Sequence, residues 1–140
     1  MTRHFTTAAQ SHIVGISEIV LWAADIQQAL YFYRDLLGLE IISPPEMPNV
    51  FLKITGTSTT IPQMIVLVPK STEIRSKPFG YQLNHLALEI PEEQFDTQHK
   101  ALVSAGYNPR DGQHPVLASR TMYVNDPDGN EVEFICSITE

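Results

Sequence analysis

The sequence predicts an α+β fold of two βαβββ modules, paired into curved sheets around a cleft, with the helices outside. Three observations support this prediction. The order strand, helix, strand, strand, strand can be read twice along the chain, and an offset of 67–68 residues brings Ile16 onto Leu83 and Gly38 onto Gly106. The chain has 140 residues, of which 43% are hydrophobic, enough for a substantial core. One βαβββ unit is too small to bury both faces of its sheet, so two units are expected to pack side by side.

The first module opens with a short strand at residues 16–22, which are rich in branched and aromatic side chains. Asp25 is placed to cap a helix, whose apolar residues recur with a period of 3.6 from Ile26 to Leu37. Gly38 then ends this helix. Further strands are predicted at 39–42, 51–55 and 64–68, with a polar hairpin loop at 56–62 and prolines that break the first of them at positions 44, 45 and 48.

The second module repeats this order, beginning with a strand at residues 83–90. Pro91 suits the first turn of the following helix, and Gly106 ends it. Four apolar residues mark the buried side of this helix: Phe95, Ala101, Leu102 and Ala105. Tyr107 is expected to open a strand, and residues 119–125 and 131–138 are expected to form the last hairpin.

These elements define the expected domain organisation. Residues 1–12 are expected to be a flexible tail, and residues 13–140 a single domain. Within it, the first module runs from about 13 to 69, a linker from 70 to 81, and the second module from about 82 to 138.

The composition excludes several kinds of partner. A net charge of −7 and an isoelectric point near 5.1 disfavour nucleic acids and anionic membranes. Cys136 is the only cysteine and lies in an apolar run, so it is expected in the core rather than in a disulfide or zinc site. Trp22 and Phe32 are also expected in the core. No apolar stretch approaches the ~20 residues of a membrane span, and a cytoplasmic location is expected.

The repeat brings two polar residues into equivalent positions. Glu18 and His85 occupy the same place in the first strands of the two modules, each with apolar neighbours. If a pseudo-twofold axis relates the modules, these side chains face each other across the cleft. A polar pair placed symmetrically in apolar strands requires a partner, because burying a charge alone is costly.

The last hairpin predicts a third group. The turn Asp126-Pro127-Asp128-Gly129 suits a type I turn in which Gly129 takes the left-handed conformation, which pairs Asp126 with Asn130. Counting outward pairs Tyr123 with Glu133, and Thr121 and Glu131 fall on the same face of the sheet.

Together, Glu18, His85 and Glu133 would form a site with two carboxylates and one imidazole, which suits Mn²⁺, Fe²⁺, Mg²⁺ or Zn²⁺. Surface carboxylates and a core histidine are the alternatives. His114, in the loop before the last hairpin, would be an acid, a base or a hydrogen-bond donor at the mouth of the cleft.

Three segments carry a resemblance to known proteins: ISEIVLWAADIQQALYFYRDLLGLEII, LNHLALEIP and YVNDPDGNEVEF. They resemble the vicinal oxygen chelate superfamily, which includes glyoxalase I, bleomycin-binding proteins and extradiol dioxygenases. The resemblance covers nearly the whole chain. It implies paired βαβββ modules and a divalent metal held at Glu18, His85 and Glu133.

Within that superfamily, the segment from Gly112 to Glu133 is similar to the extradiol dioxygenase signature in order and spacing. There, the positions matching His114 and Tyr123 lie by the substrate, so these are the expected catalytic residues, and the position matching Glu133 binds iron. Glu18 stands where the dioxygenases have a histidine. The resemblance to glyoxalase I would imply a metal site with four ligands. One of them is a carboxylate on the last strand of the first module, and residues 64–68 contain no carboxylate.

Three functions therefore stay open. The first is a metal-dependent enzyme, extradiol-dioxygenase-like or glyoxalase-like, acting on a small substrate with vicinal oxygens. Fe²⁺ or Mn²⁺ is favoured, with Zn²⁺, Ni²⁺ and Mg²⁺ as alternatives. The second is a metal-free small-molecule binding protein of the bleomycin-resistance type, and a purely regulatory or structural dimer is a weaker third. A homodimer is expected in each case.

Overall fold

The structure is a computed structural model that describes residues 12, 15–54, 61–70, 83, 85–115 and 117–138. The expected N-terminal tail, the hairpin loop at 56–62 and the linker at 70–81 fall wholly or mostly outside these ranges. The described residues form two four-stranded sheets, each with a helical segment on one side.

The first sheet has the strand order β1-β4-β3-β2. Its strands are β1 (Glu18–Ala23), β2 (Glu40–Ile41), β3 (Val50–Lys53) and β4 (Met64–Pro69). β1 and β4 are parallel, and the other pairs are antiparallel.

The second sheet has the order β5-β8-β7-β6, which is the same arrangement one module later. Its strands are β5 (Leu86–Glu89), β6 (Arg110–Gly112), β7 (Ser119–Asn125) and β8 (Glu131–Ser137). β5 and β8 are parallel, as β1 and β4 are in the first sheet. The shared order confirms the α+β fold of two βαβββ modules.

Helix α1 (Ile26–Leu30) begins where the sequence predicts, because the Asp25 carboxylate accepts hydrogen bonds from the backbone N–H groups of Gln27 and Gln28 at 2.9 and 3.3 Å. It then widens into a π-helix, Tyr31–Leu36, in place of the regular turn that the 3.6 period predicts. Phe32 and Tyr33 are consecutive and yet both fully buried. Gly38, at φ +79°, ends the segment as expected.

Helix α2 (Phe95–Ser104) follows a 3₁₀ turn at Glu92–Gln94. The expected strand beginning at Tyr107 is wrong, because β6 starts only at Arg110. The reason is that the Tyr107 N–H donates to the Leu102 carbonyl at 3.0 Å, so the chain is still completing the end of the helix. Likewise, β5 begins at Leu86 instead of residue 83.

Each sheet turns one face to its helical segment, and these faces form the core. Cys136 and Phe32 are buried there, as the sequence predicts. Trp22 is not, because it lies on the opposite face of β1 and is 50% exposed. Within the described ranges, the helices are too short to span a bilayer.

A buried polar cluster joins the two modules. The Tyr33 hydroxyl on the π-helix donates to Asp126 Oδ2 in the β7–β8 turn at 2.7 Å. Asp126 Oδ1 accepts from the backbone N–H groups of Asp128 and Asn130 at 2.9 and 2.8 Å. The Ala24 N–H, just after β1, donates to Asp128 Oδ1 at 2.8 Å. The hairpin that carries Tyr123 and Glu133 is therefore tied to the first module.

This cluster predicts a loss of stability at alkaline pH. Burial, and then the Asp126 carboxylate, raise the pKa of the Tyr33 phenol well above its ordinary value near 10. A raised folded-state pKa gives stability that is present below the unfolded pKa and lost as pH rises above it. We expect the free energy of unfolding to fall above about pH 10, by up to ~1.4 kcal/mol per pH unit from this residue.

The measurement is urea unfolding between pH 8 and 11.5. The variant Tyr33→Phe has no phenol here, so its stability should decline less steeply, while the raised pKa values of Tyr107 and Tyr123 leave part of the decline in place. An equal slope in both proteins would contradict the prediction.

Candidate metal and substrate site

The candidate site lies on the face of the second sheet that points away from helix α2, which we call the site face. Its strands place Arg110, Tyr123, Glu133 and Ala87 in one row, since each pairs with the next across the sheet. Side chains directly opposite one another share a face, so the row brings a cation, a phenol and a carboxylate together.

Two of the three predicted metal ligands meet on this face. His85 Nε2 lies 3.1 Å from Glu133 Oε1, and the side chains are 37% and 4% exposed. The other carboxylate oxygen, Glu133 Oε2, is buried and has no hydrogen-bond partner among the residues that the structure describes. An unpartnered buried carboxylate oxygen is costly, so the site is incomplete as it stands.

Tyr123 lies beside this pair, as the turn chemistry predicts. The register pairs Tyr123 with Glu133, the Asp126 N–H donates to the Asn130 carbonyl at 2.8 Å, and Gly129 has φ +85°. The Tyr123 and His85 rings meet edge to face, with centroids 5.9 Å apart. Desolvation, and then a hydrogen bond from the phenol to the Glu133 carboxylate, raise the pKa of the Tyr123 phenol, which is therefore a proton donor at neutral pH.

Gly112 leaves room for the Tyr123 ring, and the sequence analysis missed this role. A Cβ at Gly112 would overlap the Tyr123 ring and lie 2.8 Å from Thr121 Oγ1. Thr121 is buried on the same face. No pattern in the sequence predicts this contact, because Gly112 lies on β6 and Tyr123 on β7, and these strands pair only in the folded sheet.

Glu18 lies in the first sheet, at the start of β1, and is exposed. Over the described parts of this single chain, no three His, Cys, Asp or Glu side chains gather closely enough to hold a metal ion. The structure therefore joins His85 to Glu133 and does not add Glu18. Glu18 shares its face of β1 with Val20 and Trp22, which are 54% and 50% exposed.

His114, the other predicted catalytic residue, stabilises the loop before β7. Its Nδ1 accepts a hydrogen bond from the Leu117 N–H at 2.9 Å. That bond needs an unprotonated Nδ1.

The donors at His85 and Glu133 fit a divalent cation. A buried carboxylate oxygen without a protein partner beside a partly exposed imidazole is the combination that Fe²⁺, Mn²⁺ and Zn²⁺ accept. A cation there would neutralise the buried charge and use the unpartnered oxygen.

The family model of the Glyoxalase/Bleomycin resistance protein/Dioxygenase superfamily matches residues 15–134 of the chain. The chain belongs to this superfamily. The match covers all eight strands of the two sheets except the last residues of β8. It confirms the resemblance drawn from the sequence.

Several members of the superfamily resemble this one. The metallothiol transferase FosB of Lysinibacillus sphaericus is 22% identical over 126 residues, which are 87% of this chain and 82% of that protein. A glyoxalase/dioxygenase from Nostoc punctiforme has a TM-score of 0.72 at 20% identity, covering 98% of this chain and 100% of that one. A FosX variant from Listeria monocytogenes, crystallised with Mn(II) and 1S,2S-dihydroxypropylphosphonic acid, has a TM-score of 0.67 at 22% identity, covering 91% and 94%. At these identities the structural likeness establishes the fold.

Proposed function

We propose that this superfamily member is a metal-dependent enzyme acting on a small substrate through vicinal oxygens. The observation that carries the proposal is the buried Glu133 oxygen, which has no partner in the described part of the chain and lies beside the partly exposed His85 imidazole. The FosB, FosX and Nostoc relatives support it. His85 and Glu133 would hold the cation, with Glu18 as the third ligand.

The protein groups have distinct roles in this proposal. The bound cation would supply Lewis-acid stabilisation of negative charge on the substrate oxygens. The protonated Tyr123 phenol would donate a hydrogen bond to the substrate, in a position maintained by the absence of a side chain at Gly112. His114 would be an acid, a base or a hydrogen-bond donor beside the substrate.

The third ligand implies a homodimer. Within one chain Glu18 does not join His85 and Glu133, so a second copy would have to supply it. The exposed apolar face around Val20 and Trp22 would be covered when the first sheet of one copy meets the site face of another.

Metal binding is the first test. We expect the protein purified without a tag to contain about one Fe²⁺, Mn²⁺ or Zn²⁺ per chain by elemental analysis, or to take it up on titration. His85→Ala should lose this metal, because it removes a ligand. His99→Ala, on helix α2, is the control and should keep it. No binding of any of these ions to the unaltered protein would refute the proposal.

Mixed dimers test the shared site. If Glu18 and His85 come from different copies, subunits of Glu18→Ala and His85→Ala refolded together should regain about a quarter of the normal metal content, because half of the dimers carry one intact site of two. Each variant alone should bind almost none. Recovery of no metal on mixing would contradict a site shared between copies.

The reaction subtype needs a separate assay. Anaerobic Fe²⁺ loading, followed by catechol and oxygen, should give a coloured ring-opened product and oxygen uptake if the enzyme is dioxygenase-like. Isomerisation of the hemithioacetal of methylglyoxal, without oxygen uptake, would identify a glyoxalase-like enzyme instead.

A further inference from the structure

Arg110 is a cation at the far end of the row that contains Tyr123 and Glu133. It pairs with Tyr123 across β6 and β7, and Tyr123 pairs with Glu133 across β7 and β8. Its exposed side chain points along the site face, because its guanidinium donates to Asn125 Oδ1 at 3.2 Å on the same face of β7. Arg110 therefore borders the space above the candidate metal ligands.

The partner of Arg110 sets it apart from the other arginines that the structure describes. Arg34 pairs with Asp35 at 2.8 Å and Arg120 with Asp96 at 3.2 Å, whereas the partner of Arg110 is a neutral amide. The Asn125 amide oxygen accepts one hydrogen bond from Arg110 and carries no compensating charge. A guanidinium binds a carboxylate, phosphate or phosphonate through two parallel hydrogen bonds, which is a much stronger interaction.

Apart from Arg110, the charged strand residues of the site face are acidic. Glu89, Glu131 and Glu133 all lie on it by the strand alternation, and Arg110 is the only lysine or arginine among the described residues of that face. Away from the proposed metal, a negatively charged group would therefore be repelled by the carboxylates and attracted by Arg110.

We propose that Arg110 binds an anionic group of the substrate, at the opposite end from the oxygens held at His85 and Glu133. This inference rests on the proposed function and narrows its substrate class. Arg110 and Glu133 stand two strand spacings apart, about 10 Å between Cα atoms. The substrate therefore carries a carboxylate or a phosphorus oxyanion several bonds away from its vicinal oxygens, and the two are not one compact group.

Two matched probes test this proposal: 3,4-dihydroxyphenylacetate and its neutral amide, 3,4-dihydroxyphenylacetamide. Both present the same vicinal oxygens, and only the first is an anion. In calorimetric titrations of the Zn²⁺-loaded protein, we expect the carboxylate to bind about tenfold more tightly than the amide, as a charge-assisted pair gives. Arg110→Gln should reduce this preference to less than about twofold, and Arg110→Lys should keep part of it.

Arg34→Gln is the control, because it removes a surface arginine elsewhere and should keep the full preference. Equal affinities for the two probes, or a preference that survives Arg110→Gln, would overturn the inference.

Zn²⁺ affinity is measured first and should be the same in all variants. If no protein binds Zn²⁺, the proposed function fails by itself. Arg110 is then judged by its Nε–H resonance in the metal-free protein: a shift with the acid but not the amide supports the inference, and no shift overturns it.

Discussion

Replacing Glu133 with glutamine is expected to lower the affinity for Zn²⁺ or Mn²⁺ by at least about 100-fold. Loss even of residues that merely support a metal ligand costs about 10–100-fold, and Glu133 would be a ligand itself. The same change should stabilise the metal-free protein by about 1 kcal/mol, because it removes a buried charge whose Oε2 has no partner. A weaker metal affinity together with a more stable metal-free protein is the result expected if Glu133 is a metal ligand.

The measurements are metal titration and urea unfolding in the presence of a chelator. Glu131→Gln is the matched control, since Glu131 lies two residues away on the same face of β8 and is half-buried. It should change the metal affinity by less than about threefold, because it would be no ligand. If Glu133→Gln retains normal affinity, or destabilises the metal-free protein strongly, Glu133 has a structural role instead.

Asp126→Ala is expected to have the largest effect on folding, a loss of roughly 3 kcal/mol or more in the free energy of unfolding. Asp126 accepts hydrogen bonds from Asp128, Asn130 and Tyr33. Removing its carboxylate leaves the fully buried Tyr33 hydroxyl without an acceptor. Asp111→Ala, which changes an exposed aspartate on β6, should cost less than about 0.5 kcal/mol.

A double-mutant cycle isolates the contact between the modules. Tyr33→Phe removes the hydroxyl that Asp126→Ala would strand, so the double variant should lose less stability than the sum of the single variants, by about 1–3 kcal/mol. Additive losses would mean that the hydrogen bond between Tyr33 and Asp126 contributes little to the free energy of unfolding.

The sequence predicted best where local chemistry sets geometry. Gly129 and Pro127 restrict the β7–β8 turn to one conformation, and that turn alone fixes which residue faces Glu133. Asp25 and Gly38 marked the limits of the first helical segment for the same reason. Such features depend on a few neighbouring residues, so they can be read without knowing the rest of the fold.

The remaining features depend on contacts that are distant in the sequence. The apolar period from Ile26 to Leu37 fits both an α-helix and the π-helix that the structure contains, and it does not reveal that Phe32 meets Tyr107 of the second module edge to face. The equivalence of Glu18 and His85 follows from the repeat, yet in the described part of one chain Glu18 does not join His85 and Glu133. Gly112 and Arg110 gained their significance only through the pairing of β6 with β7.

The exposure of Trp22 has a practical consequence. It is the only tryptophan of the chain, and its half-exposed indole lies on the same face of β1 as Glu18. Ultraviolet fluorescence excited at the red edge of the absorption band therefore comes from a single, known place in the molecule. A shift of its emission to shorter wavelengths reports that water has left this face. The fluorescence of Trp22 therefore measures directly whether this face of the first sheet becomes buried.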